Sequence, residues 1–75
     1  MEISLNRLPP GARGVVVKMD TDVALTKKLK AFGLVPGTAI RCTYRCPWGD
    51  VTALEFRGSV LALRSDDLKK ITVRL

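Results

Sequence analysis

The stretch from Leu25 to Thr38 constrains the fold more than any other part of the chain. Leu25, Leu29 and Phe32 recur at i, i+4 and i+7, the spacing of one apolar helical face, while Thr26, Lys27, Lys28 and Lys30 fall on the other faces. Gly33 follows the last periodic residue, at the left-handed position after a helix that favours glycine, and Leu34 can fold back as the next apolar residue. Pro36-Gly37 then matches the centre of a type II turn, with proline fixing φ and glycine supplying φ > 0. A helix, a stop and a turn that launches a strand account for the whole stretch. Leu34, Val35, Pro36 and Gly37, displayed at so rigid a corner, are also candidate contact residues for a partner.

The flanking segments read as short strands. Ile3 to Leu8 is expected to form one helical turn with Ser4 as its N-cap, ended by Pro9-Pro10-Gly11. Arg13 to Met19 is a first strand, with Val15, Val17 and Met19 on one face and Val16 and Lys18 on the other. Thr21 or Asp22 caps the helix that begins near Val23. A second strand, Thr38 to Arg45, alternates Ile40, Cys42 and Tyr44 with Arg41, Thr43 and Arg45, which predicts an apolar and a basic face. Cys46-Pro47-Trp48-Gly49-Asp50 is a connection. A third strand, Val51 to Arg57, turns Thr52, Leu54 and Phe56 to one side, and Arg57-Gly58-Ser59 makes a tight hairpin into a fourth, Val60 to Arg64. Ser65-Asp66-Asp67 caps one helical turn through Lys69, and Ile71 to Leu75 closes as a last strand. The inventory is mainly β: about five short strands, one short helix inserted between the first two, and a helical turn near each end. A small chain of this kind removes its sheet edges by curling into a partly open barrel.

With 75 residues there is room for a single domain, 1–75, and no apolar run approaches the roughly 18 residues of a membrane span. Met1 to Arg7 lacks the apolar core of a secretory signal, so a cytoplasmic location without membrane insertion is expected. The formal charge of +6 suits an acidic protein surface, phosphates or anionic lipid. The absence of histidine removes the commonest general base and metal ligand, which argues against an enzyme of hydrolytic or zinc type.

The motifs Leu5 to Gly11, Lys28 to Thr38, Pro47 to Asp50 and Val60 to Arg64 stand in the order and spacing of FeoA, and the chain resembles that family from Ser4 to Val73. The resemblance implies an SH3-like β-barrel with the helix between its first two strands. It also implies a small accessory or regulatory protein of bacterial ferrous iron uptake. The implied partner is FeoB, the membrane transporter whose cytosolic part carries a GTPase domain.

Among the candidate site residues, Cys42 and Cys46 would share a strand face roughly 13 Å apart. That is too far for a disulfide without a bend, since bridged Cα atoms lie within about 7 Å. Two thiols without histidine make at best half a tetrahedral metal site, so Cys42 reads as a buried hydrophobe, Cys46 as a more reactive thiol, and no resident cofactor is expected. Trp48 is either a lid over one barrel end or an interface anchor. Arg41 and Arg45 would share an outward face with Arg57 nearby and Arg64 at a strand end, either a solvated face or, if clustered, a patch for an acidic partner or phosphate. The leading expectation is a binding module that docks on the transporter through barrel loops and this basic face. The alternatives are a nucleic acid binder, for which Tyr44 and Trp48 are the only stacking candidates, and a modulator of the transporter GTPase that supplies Arg45 or Arg57 in trans. A short open barrel can also pair its edges or pack an apolar end against a second copy.

Overall fold

The computed structural model describes residues 1–46 and 50–75. Strand β1 (Glu2–Ser4) leads into a 3-10 turn (Leu5–Arg7), then β2 (Arg13–Met19), α1 (Val23–Ala31), β3 (Ala39–Arg45), β4 (Val51–Phe56), β5 (Ser59–Arg64), α2 (Ser65–Leu68) and β6 (Ile71–Arg74). All six strands form one antiparallel sheet in the order β1-β6-β2-β3-β4-β5. Among the described residues no pairing joins β5 to β1, so the sheet curls without closing. With extents of 28 × 24 × 22 Å the molecule is nearly isotropic, and the sheet must wrap its own apolar face to bury it. This is a small SH3-like architecture whose core runs through Leu5, Val16, Leu29, Ile40, Leu54 and Ile71.

The central stretch forms as its residues dictate. The Asp22 carboxylate accepts from Leu25 N–H at 2.7 Å and caps α1. At the other end Gly33 N–H donates to Lys30 O and Leu34 N–H to Leu29 O, both at 2.9 Å, the paired bonds of a Schellman stop with Gly33 at φ 91°. Thr38 N–H donates to Val35 O at 3.0 Å across Pro36-Gly37, where Gly37 has φ 96°. The Thr38 hydroxyl donates to Gly33 O, and Gly37 N–H donates to Val16 O of β2, so the corner is stitched to the sheet.

Four expectations are corrected. The first segment holds the expected helical turn only over Leu5–Arg7, because Glu2–Ser4 pairs with β6 as a sixth strand. Ser4 occupies the N-cap position of the 3-10 turn that follows without a side-chain bond to it. Phe32 is exposed, because the Schellman stop ends the helix at that residue and Leu34 fills the core in its place. Ser65 is the first residue of α2, with Arg64 at the cap position and no side-chain cap.

The fourth correction concerns alternation. β2 and β3 each carry a β-bulge, at Val17 and Thr43, where one extra residue shifts the phase of the pleat. Met19 therefore pairs with the buried Ile71 and packs against the core, on the opposite face from Val15. Tyr44 pairs with Ala53 on the outer face and is 59% exposed, whereas Arg45 pairs with the buried Thr52 and turns inward.

Candidate functional site

The outer face of β2, β3 and β4 carries a charged row. Gly14 pairs with Ile40 toward the core, so their neighbours Arg13 and Arg41 lie directly opposite each other on the outside. Arg41 is in turn opposite Glu55, which sits outside because Leu54 and Phe56 face in. The Arg41 Nη2 reaches Glu55 Oε1 at 3.4 Å, with both side chains partly exposed, and Arg41 Nε is buried without a partner. Such a half-exposed pair contributes little to stability.

The row ends at the β4–β5 hairpin, a two-residue turn with Arg57 at φ 51° and Gly58 at φ 77°, the conformation of a type I′ connection. From that corner the Arg57 side chain runs back over Gly33, where a Cβ would lie 2.9 Å from Arg57 Cδ. Arg13, Arg41 and Arg57 thus surround an open groove of about 420 Å³, with Glu55 as its one carboxylate and Ile40 and Phe56 beneath. Three guanidinium groups against one carboxylate leave the lining of the groove with a net positive charge.

The structure separates the other candidates from this groove. Leu34 is fully buried and belongs to the core, so it cannot serve as a docking knob. Val35 is half-buried, and Pro36 and Gly37 are exposed. Arg45 does not share a face with Arg41: the bulge turns it inward, where Nη2 donates to Leu8 O at 2.9 Å. It lies beside a second, smaller polar recess of about 110 Å³ with Asn6, Cys46, Asp50, Thr52 and Ser65. Cys42 is a buried free thiol and Cys46 a half-buried one. Among the described residues no three potential metal ligands of the His, Cys, Asp and Glu types come together. Trp48 lies outside the described residues.

Sequence reasoning brought Arg41 and Arg57 to the site but passed over Arg13, Glu55 and Gly58. Arg13 stood at the start of a strand and Glu55 on an outer face, and their meeting depends on cross-strand register, which no local pattern encodes.

A comparison with curated proteins finds no match. Among solved structures, FeoA of Chlorobium tepidum superposes with a TM-score of 0.93 at 27% identity, over 97% of this chain and 70% of that one. The FeoA-like protein of Clostridium acetobutylicum gives 0.84 at 31% identity, over 99% and 86%. The zinc complex of Stenotrophomonas maltophilia FeoA, described as an SH3 domain protein and a candidate ferrous iron transport activating factor, gives 0.79 at 25% identity, over 95% and 88%. No helix of the described residues is long and apolar enough to cross a membrane. The model of the FeoA domain family matches residues 3–75, and the chain belongs to that family, which is associated with ferrous iron transport.

Proposed function

We propose that this chain is a cytoplasmic, non-catalytic accessory module of bacterial ferrous iron uptake that docks on the cytosolic, GTPase-containing part of a FeoB-like transporter. The observation that carries the reading is the match of the FeoA family over residues 3–75, almost the entire chain. The arginine-lined groove supports it, since a positively charged concavity suits recognition of an acidic protein surface. In this reading ferrous iron is handled by the transporter, and the chain itself holds no resident metal.

The direct test immobilises the transporter's cytosolic part and measures capture of the purified protein over a range of salt concentrations. Binding that weakens as salt rises is expected. No association at any salt concentration, together with unimpaired ferrous uptake in a deletion strain, would overturn the reading.

A further inference from the structure

We propose that the groove between Arg13, Arg41 and Arg57 receives an extended acidic segment of a partner protein, one of whose carboxylates replaces Glu55 on the Arg41 guanidinium. The identity of that partner rests on the docking reading above; the chemistry of the groove does not.

Three observations converge. Arg13 and Arg41 face each other directly across β2 and β3, and like charges so placed repel. A carboxylate seated between them turns that repulsion into two attractions. The second observation is the state of Arg41. A carboxylate bound side-on uses the parallel Nε–H and Nη2–H of arginine. Here Glu55 engages Nη2 alone at the long distance of 3.4 Å, and Nε is buried with no partner. That edge is half used, and a carboxylate that takes Glu55's place, with the Arg41 side chain turned so that Nε–H is reachable, satisfies both donors.

The third observation is the surface around the groove. Val60 continues the row of Arg13, Arg41 and Glu55 on the edge strand β5 and is 64% exposed. Tyr44 lies outside on β3, 59% exposed, in register with Ala53. Charged and apolar positions thus sit side by side on one outer face, which suits a segment of mixed acidic and apolar residues in extended form. A nucleic acid backbone fits less well. Glu55 stands among the arginines, and of the six lysines only Lys18 is on the sheet, where it pairs with Asp20 at 3.4 Å, while Lys27, Lys28, Lys30, Lys69 and Lys70 are on α1 and after α2.

The test is fluorescence anisotropy with the full chain and a labelled peptide of alternating glutamate and leucine. Inorganic phosphate, single-stranded DNA and the peptide's glutamine counterpart serve as competitors. The acidic peptide should bind, and its glutamine counterpart should not compete. Arg13→Gln and Arg41→Gln should each weaken binding about tenfold, the scale of one charge-assisted contact. Lys27→Gln and Lys28→Gln make the same change in net charge on α1 and should stay within about twofold, since they lie outside the groove. Equal losses in the lysine and arginine variants would reduce the effect to net charge and overturn the proposal. DNA that binds more tightly than the peptide through the same arginines, or phosphate that displaces the peptide stoichiometrically, would replace the acidic segment with a phosphate ligand.

The same variants tested on the transporter's cytosolic part keep the two readings apart. If that part binds the wild type, Arg13→Gln and Arg41→Gln equally well, the groove proposal fails and docking stands. If it does not bind the wild type while the peptide still does, docking fails and the groove stands.

Discussion

The two halves of β3 use the same residue type for opposite ends. Before the bulge, Arg41 lies half-buried on the outer face beside Glu55 and lines the groove. After it, Arg45 points inward and donates to the carbonyl of Leu8, joining β3 to the 3-10 turn near the N-terminus. Four residues apart on a regular strand, they would share a face. A single extra residue, Thr43, makes one arginine a candidate for recognition and the other a structural strut. The lesson is that in a sheet the position of a bulge can decide function as much as the side chain does.

This contrast breaks or sharpens most clearly at the residues that flank the bulge. Cys42→Asp places a carboxylate in the core without a partner and should abolish the cooperative thermal transition, since its cost rivals the whole stability of a small domain. Tyr44→Asp, two residues on, should melt close to the wild type because its site is outside the barrel. If the two variants lose stability equally, the assignment of faces is wrong.

The arginines come next. Arg45→Met keeps the aliphatic stem but strands the Leu8 carbonyl, and urea unfolding should register a loss of about 1.5–3 kcal/mol. Arg41→Gln removes only a half-exposed ion pair and should cost less than about 1 kcal/mol. The bulge itself ranks between these two. The Thr43 hydroxyl donates to Ala53 O at 3.0 Å, and Thr43→Val, which keeps the shape and loses that bond, should lower the unfolding free energy by about 1 kcal/mol.

Most of the fold was legible wherever local chemistry decides it. Arg13–Met19, the capped helix, Gly33, Pro36-Gly37 and the inward set Thr52, Leu54 and Phe56 all stand where their patterns place them. The misread strand faces share one cause. Val17 and Thr43 are ordinary β-branched strand residues, and nothing about them marks a bulge; only pairing with β6 and β4 reveals the extra residue. β1 forms likewise because the edge of β6 is available to it, a tertiary opportunity that adds a strand just before the 3-10 turn at Leu5–Arg7. The groove was half legible for the same reason. Its arginines were visible as residues, but the meeting of Arg13 with Arg41 is a property of register.

The passage of Arg57 over Gly33 bears on how this surface would work. A free arginine at a hairpin tip samples many rotamers, and freezing them on association subtracts from affinity. Here the guanidinium hangs on a leash. Its backbone is set by a left-handed turn, and its stem lies in the notch left where the helix stop has no side chain. Part of that ordering is therefore done by the fold, and in the proposed role of the groove an incoming anion meets an arginine whose stem is already placed. Closing that notch with a methyl group would disturb the aim while removing no charge at all.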